Sequence, residues 1–563
     1  MKFFIWSKKD VKLPSPGGYF SLRHGRLVMV CAAILVFYLV LVFNFYRLQI
    51  QKGDYYSNKA LSRQRFAAYL APPRGAIYFK DKDNNSIPAA LNKMYPIIFA
   101  VPKEIEDPAE ASELLSEALG LEAARLLTLL GKPNDLYELL VKRATAEAVA
   151  RVQGLNLQGI YIDEASYRYY PFNALAAQLV GFVGSGSDDL EVGRYGIEAF
   201  YDASLAGRPG KITPLKIERS IPGTDIVLTI DRNIQARAEE ILLDLSEKYE
   251  AERGTIIVEA PKTGAILAMA NYPRFDPNSY SKYDLGTFLN HATAAVYEPG
   301  SILKVITMSA GLDSGSLTPK TRFYDSGSLT LNGKTIRNWD MKSNGTVTMT
   351  EVIEQSINTG AAYAEKLIGH KKFYDYLVNF GLNDKTGIDL PGELSGNLRN
   401  LEKNAQDINF ATASYGQGIS LTPIELVNAF SAIANGGMLM RPYVTADKSP
   451  SIVRRVVSES AAKAVTGMMV SAVDKAWVAQ IPRYSVAGKT GTAQVPDFKR
   501  GGYTDEVINS YAGYAPASNP KFAILIKLDK PKGAPLAGAT VVPAFRELTE
   551  FMLNYYNIPP DRK

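Results

Sequence analysis

The chain of 563 residues, 46% hydrophobic and 21% charged, is too long for one ordinary core and has the composition of folded units joined to a membrane element. Its formal charge of +6 sits almost wholly at the N-terminus, where Lys2, Lys8, Lys9, Lys12, Arg23 and Arg26 face Asp10 alone; that net of +5 leaves about +1 for the rest, which excludes a basic footprint for nucleic acid. The single Cys31 excludes a disulfide frame, and three scattered histidines (His24, His291, His370) leave no Cys/His cluster for zinc, so no metal is expected.

In chain order, the first feature is the uncharged apolar run from Leu27 to Phe43, which with Asn44-Phe45-Tyr46 reaches the roughly twenty residues that cross a bilayer. It ends in bulky residues with no small-residue cleavage site, so residues 27–46 are expected to be an uncleaved transmembrane anchor rather than a signal peptide. The basic residues before it predict a cytoplasmic tail, 1–26, with everything after residue 46 on the outer side of the plasma membrane.

Residues 47–215 form a mixed segment of their own. A strand is expected over Tyr95 to Val101 and a helical stretch from Asp107 to about Val152, where Leu114, Leu115, Ala118 and Leu119, then Leu139, Leu140, Ala144 and Ala148, recur at helix spacing. Gly193, Gly196, Gly207 and Gly210 mark turns near its end, and no phosphate-loop pattern is present.

Residues 216–563 read as one further domain. The expected order is a strand from Asp225 to Ile230, an amphipathic helix from Arg232 to Tyr249, and a hairpin of Gly254 to Ala260 with Ala265 to Ala270. An all-helical centre, strands near 485–495, 508–514 and 521–528, and a helix from about Pro543 to Tyr555 follow. This is an α+β arrangement, a sheet assembled from both ends of the domain around a helical block.

Three short motifs in this domain carry chemistry: Ser301-Ile302-Leu303-Lys304, Ser356-Ile357-Asn358, and Lys489-Thr490-Gly491-Thr492. Singly they are weak, since Ser-x-x-Lys recurs at Ser279/Lys282, Ser460/Lys463 and Ser518/Lys521, Ser-x-Asn at Ser395/Asn397, and Lys-Thr-Gly at Lys262 and Lys385. Context selects among them. Ser301 follows Glu298-Pro299-Gly300 and opens an apolar helical run, which brings Lys304, three residues on, to the same face. The copies at Ser279 and Ser518 lie in proline-bearing turn stretches, Lys262 sits in the hairpin turn, and Lys385 sits in the loop from Asn383 to Gly392, whereas Lys489 to Val495 reads as a strand of small residues that a substrate backbone can approach. In this order the motifs are the pattern of a serine acyltransferase that penicillin acylates. There is no Gly-x-Ser-x-Gly elbow and no suitably placed histidine, so the base that activates Ser301 is expected to be Lys304, neutral through burial and the nearby cation of Lys489.

With further stretches, the chain resembles a class B penicillin-binding protein, a membrane-anchored peptidoglycan D,D-transpeptidase, from the anchor to the end. The stretches are Arg47-Leu48-Gln49 with Gly53, Arg74-Gly75-Ala76-Ile77, Gly196-Ile197-Glu198 with Tyr201-Asp202 and Leu205-Ala206-Gly207, Leu228-Thr229-Ile230-Asp231 with Gln235, and Tyr272-Pro273 through Asp276-Pro277-Asn278. Two departures stand out, both in the non-catalytic segment: Tyr78-Phe79-Lys80-Asp81 with Asn84-Asn85 replaces the family's Asp-Arg-Asn-Gly, and Asn173 stands where a glycine is common after Arg168, Tyr170 and Pro171. They bear on turn geometry rather than on chemistry.

The resemblance implies an elongated mixed α/β pedestal of the dimerisation type over 47–215 and a transpeptidase domain over 216–563. It implies that Ser356 relays protons between Lys304, Lys489 and the leaving amine, that Asn358 hydrogen-bonds the peptide, and that Lys489, Thr490 and Thr492, with Gly491 between them, hold the terminal carboxylate of a D-Ala-D-Ala stem. Backbone N–H groups of Ser301 and Thr492 would form the oxyanion hole. Ser301 would acylate on the penultimate D-Ala, and the amine of a neighbouring stem would resolve the acyl-enzyme into a cross-link. No cofactor is implied. The partners implied are stem peptides on lipid-linked or nascent glycan strands, β-lactams, and membrane proteins of cell-wall synthesis, a polytopic glycosyltransferase among them, with the division role favoured over elongation. A D,D-carboxypeptidase or β-lactamase-like hydrolase, a β-lactam sensor and a non-catalytic scaffold remain the alternative readings.

Overall fold

The computed structural model describes residues 20–47, 72–186, 191–213, 216–497, 499–533 and 536–563. The basic residues up to Lys12, the stretch Leu48-Gln49 with Gly53, and the start of the 47–215 segment lie outside them. Among the described residues one helix, Phe20–Tyr46, contains a span long and apolar enough to cross a membrane, Met29–Tyr46. The chain divides into two compact units, the first made of residues 1–71 and 95–165 and the second of 72–94 and 166–563. This grouping is not the linear division at 215/216.

In the first unit the expected single helical stretch is broken up. Helices run over Pro108–Leu119, Ala123–Leu130 and Ala146–Leu155, while Leu139 and Leu140 lie on the strand Glu138–Val141. The cause is local: Gly131 ends the second helix and Pro133 follows, where a helix interior would lose a hydrogen bond. The strand pairs instead with Ile98, Phe99 and Ala100, and its Leu140 joins Ile98, Leu115, Leu126, Leu130 and Val152 in a small core. Asp107 caps the first helix by accepting from the N–H groups of Ala109 and Glu110, and Gly120 closes it in the left-handed region.

The second unit is built on a five-stranded antiparallel sheet in the order Ala265–Tyr272, Arg253–Ala260, Phe522–Asp529, Tyr503–Ala515, Ala487–Pro496. The chain thus enters the sheet through its expected N-terminal hairpin and returns with three C-terminal strands, leaving Ala487–Pro496 at an edge. Alternate side chains divide between two cores. Ile256, Val258, Ile524 and Ile526 pack with helices Arg232–Lys248 and Val541–Tyr555 on one face; Ile257, Ala512 and Leu525 face the helical block that includes Lys304–Asp313 and Pro423–Ala434.

The centre is not all helical. Strands Arg322–Asp325 and Gly345–Thr348 pair antiparallel, as do Ser328–Leu331 and Lys334–Arg337, and Met438–Met440 with Ile452–Arg455. The second pair turns on Asn332-Gly333, both at positive φ (49° and 75°), a two-residue loop that dictates a hairpin in a stretch too short for an alternation argument.

The two departures from the family pattern fold without difficulty. Asp81 accepts from the N–H groups of Asp83 and Asn85 while Asn84 takes φ 63°, which completes the turn between Ile77–Lys80 and Ser86–Ala100; Asn173 sits at φ 51°, a conformation asparagine tolerates where glycine is the commoner solution. The stretches of Arg74, of Arg168 with Tyr170, and of Gly196 to Asp202 meet at Glu198, which is 0% exposed. Its carboxylate takes Arg74 Nε at 2.7 Å and Arg168 Nε at 2.6 Å, Tyr170 donates its hydroxyl at 3.3 Å, and Arg74 also pairs with Asp202 at 2.8 Å. Glu198→Ala removes the carboxylate facing two buried guanidinium groups and is expected to cost about 3–5 kcal/mol. The thermal unfolding midpoint should fall accordingly, and an unchanged midpoint would show that the network contributes no net stability.

Candidate active site

The three motifs selected by context meet in the second unit. Ser301 lies in the 3₁₀ turn Gly300–Leu303, whose last residue leads directly into the helix Lys304–Asp313. Ser301 is half-buried, while Ile302, Leu303 and Lys304 are 0% exposed, so the apolar spacing that predicted a buried helix is what anchors the turn of Ser301. Glu298 ties that turn to its neighbours, its Oε1 accepting from the Gly418 N–H and its Oε2 from the Tyr503 hydroxyl, each at 3.0 Å. Gly416, at φ 82°, packs so closely that a Cβ there would lie 2.2 Å from the Gly300 carbonyl oxygen.

Lys489 comes from the edge strand Ala487–Pro496, as the run of small residues predicted. The strand lies against the Ser301 turn at Gly491, where a Cβ would sit 2.8 Å from the Pro299 carbonyl oxygen and 2.9 Å from Ile302 Cγ1, so only glycine permits this approach. Pairing of Lys489 with Ala512 and of Gly491 with Ser510 fixes the register that aims the lysine inward.

Between the two lysines stands Ser356, a non-glycine residue at φ 58°, in the turn before the helix Asn358–Ile368. Its Oγ lies 3.0 Å from Lys489 Nζ and 3.2 Å from Lys304 Nζ. Lys304 Nζ also donates to the Ser356 carbonyl at 2.5 Å and to Asn358 Oδ1 at 2.8 Å. Lys489 donates to the Thr490 carbonyl at 3.2 Å and Thr490 Oγ1 at 3.1 Å. Asn358 Nδ2 donates to the Arg337 carbonyl at 2.9 Å, so both ends of this side chain are engaged before any peptide arrives. Thr492 Oγ1 accepts from the Ala537 N–H at 3.2 Å.

Burial decides the electrostatics. Lys304 is 0% and Lys489 4% exposed, and each ammonium loses its hydration. Desolvation pushes Lys489 down to about 7; desolvation, then the facing Lys489 cation, holds Lys304 well below the usual lysine range. Among the described residues no group of three His, Cys, Asp or Glu side chains converges to hold a metal.

The other copies of the motifs stay apart from this centre. Ser279 and Lys282 lie on the 3₁₀ segment Pro277–Lys282, Ser460 and Lys463 on the exposed side of helix Glu459–Ala476, and Lys262 and Lys385 are exposed in turns. A groove of about 780 Å³ lies at the other end of the Ser301 helix, where Asp313 accepts from Tyr376 and Ser458, and Arg454 donates to the carbonyls of Asn379 and Val378. Spacing arguments single out none of the groups behind Ser356-Ile357-Asn358, because those groups, Asp325 and Asn338, have no motif of their own. A bare Asp-Ser-Gly turn at 325–327 is their one local signal.

The family model described as the penicillin binding protein transpeptidase domain matches residues 254–550, and that of the penicillin-binding protein dimerisation domain matches residues 69–217. The chain is 31% identical over 548 residues to Stage V sporulation protein D of Bacillus subtilis, covering 92% of this chain and 83% of that one. It is 29% identical over 559 residues to peptidoglycan D,D-transpeptidase FtsI of Escherichia coli, covering 95% and 92%. Among solved structures, penicillin binding protein 3 from Mycobacterium tuberculosis complexed with aztreonam superimposes with a TM-score of 0.67 at 26% identity, over 87% of this chain and 98% of that one.

The lysine pair makes a prediction on stability. Folding lowers the pKa of Lys489 from about 10.4 in the unfolded chain to about 7, so between those values the unfolded state binds more protons and stability rises with pH. Thermal midpoints measured from about pH 7 to 10 should climb less steeply in Lys489→Met than in the wild type; equal slopes would show that Lys489 titrates normally.

Proposed function

Because the chain belongs to the penicillin-binding protein transpeptidase family, we propose that it is a peptidoglycan D,D-transpeptidase in which Ser301 is the acylated nucleophile. The observation that carries the assignment of roles is the meeting of two buried lysines on the one hydroxyl of Ser356. A serine attacks only if a base takes its proton, and a lysine is a base only when neutral. Burial, then the facing Lys489 cation, lowers the pKa of Lys304 and favours its neutral form, and the acceptors around it complete the arrangement. In the proposed arrangement the two N–H groups of a neutral amine go to the Ser356 carbonyl and Asn358 Oδ1, and its lone pair would take the proton of the Ser301 hydroxyl, three residues back in the chain.

In the proposed reaction Ser301 Oγ bonds to the penultimate D-Ala carbonyl carbon as its proton passes to Lys304. The oxyanion gathers at the backbone N–H groups of Ser301 and Thr492. Collapse breaks the amide bond, and the departing D-Ala nitrogen takes a proton through Ser356, which lies within hydrogen-bond reach of both lysines. The amine of a second stem peptide reverses these steps to form the cross-link. The edge strand Ala487–Pro496 would take the stem's backbone along its free side, and Lys489, Thr490 and Thr492 would hold its terminal carboxylate.

Residues 47–215 are proposed as the pedestal that docks a polytopic glycan polymerase and other cell-wall membrane proteins, and 216–563 as the transpeptidase domain; the dimerisation-domain match over 69–217 supports the first. The apolar span Met29–Tyr46 supports a plasma-membrane anchor, and the net of +5 before it supports a cytoplasmic N-terminus.

Intact mass and peptide mapping of the full chain in detergent after benzylpenicillin test the assignment. The wild type should carry one stable adduct on Ser301 and Ser301→Ala none, whereas an adduct retained in that variant would overturn the nucleophile. The acylation rate should rise with pH to a plateau with a midpoint well below the usual lysine range, a value that belongs to the lysine pair. A rate that climbs only near 10 would remove Lys304 as the base.

A further inference from the structure

Beyond the three motifs, a buried carboxylate lies behind Asn358. Asp325, 0% exposed, ends the strand Arg322–Asp325 and collects five donors. Its Oδ1 accepts from the Gly327 N–H at 2.9 Å and the Thr359 hydroxyl at 2.6 Å. Its Oδ2 accepts from Asn338 Nδ2 at 2.8 Å, the Asn344 N–H at 3.0 Å and Asn344 Nδ2 at 2.7 Å. Burial opposes its ionisation, but these donors outweigh burial and hold its pKa below the usual carboxylate value.

An ionised carboxylate only accepts, so Asn338, 2% exposed, must turn its Nδ2 toward Asp325 and the carbonyl of Lys342. Its Oδ1 is thereby forced to face the other way. There it accepts from the backbone N–H groups of Asn358 at 3.1 Å and Thr359 at 3.3 Å, two of the orphan donors that open the helix Asn358–Ile368. The carbonyl of Arg337, next in the chain to Asn338, takes Asn358 Nδ2. With its amino group committed, Asn358 can offer Lys304 only its oxygen.

That orientation matters because the opposite one disarms the base. A flipped Asn358 would present an N–H to Lys304, the amine lone pair would accept it, and nothing would remain to take the Ser301 proton. We propose that Asp325 and Asn338 are positioning residues for acyl transfer at Ser301, the carboxylate fixing the Asn338 amide so that Asn358 is held with its oxygen on Lys304. The inference rests on reading Ser301 as nucleophile and Lys304 as base.

Asn344 supplies the control, since it donates to the same oxygen of Asp325 without reaching Asn358. Benzylpenicillin acylation rates of the full chain in detergent are measured from about pH 5 to 9 for wild type, Asn338→Ala and Asn344→Ala. The plateau rate of Asn338→Ala should fall at least about tenfold, a modest loss for misplaced catalytic geometry. Its midpoint should move to lower pH, because Lys304 loses an acceptor that favours its cation, while Asn344→Ala keeps the wild-type rate and midpoint. Asp325→Asn, which keeps the side chain's size, should show the same signature and serves if Asn338→Ala does not fold. Wild-type rates in Asn338→Ala and Asp325→Asn, or equal losses in Asn338→Ala and Asn344→Ala with unmoved midpoints, would overturn the positioning role alone. Absence of a Ser301 adduct in the wild type would overturn the nucleophile reading as well.

Discussion

Two buried lysines on one hydroxyl are the constraint that the rest of the structure serves. The two Nζ atoms, each about 3 Å from Ser356 Oγ, are at most about 6 Å apart. Two full charges at that distance repel by roughly 3 kcal/mol at an effective dielectric of about 20, and the loss of hydration adds to it. The pair therefore sheds a proton at a pH where an exposed lysine would keep it, the property that the proposed acyl transfer asks of its base.

Holding that arrangement together takes three unrelated segments. The helix from Lys304 is fixed by its apolar face, the strand of Lys489 by its pairing with Tyr503–Ala515, and Ser356 by a left-handed turn that a serine adopts only under constraint. Each comes from a different part of the sequence, and the sheet that joins N-terminal and C-terminal strands brings them to one edge. Glycines at 416 and 491 let these pieces close to distances that any side chain would forbid.

What the sequence made legible was local pattern. The hairpin around Lys262, the buried helix after Ser301 and the small-residue strand at Lys489 follow from periodicity and turn residues a few positions away. Where a short apolar pair such as Leu139-Leu140 suited either element, helix spacing misled, and the proline at 133 was the better guide. Asn332-Gly333 signalled a hairpin inside a stretch read as helical. The contacts that link Asp325 and Asn338 to each other and to Asn358 and Thr359 were beyond reach for a different reason: they join residues 13 to 34 positions apart through side-chain geometry that leaves no periodic trace. The Glu198 network is the intermediate case. Its stretches resembled a family pattern, yet only the fold shows that they share one carboxylate.

The most direct test of the shared proton is a pH titration of the lysine side chains by NMR, on the full chain with isotope-labelled lysine, using Lys304→Met and Lys489→Met for assignment. Two lysines should titrate far below about 10.4, that of Lys489 near 7, and loss of either lysine should raise the pKa of the one left behind. Ordinary titration of both near 10.4, in the folded protein, would contradict the mechanism at its base.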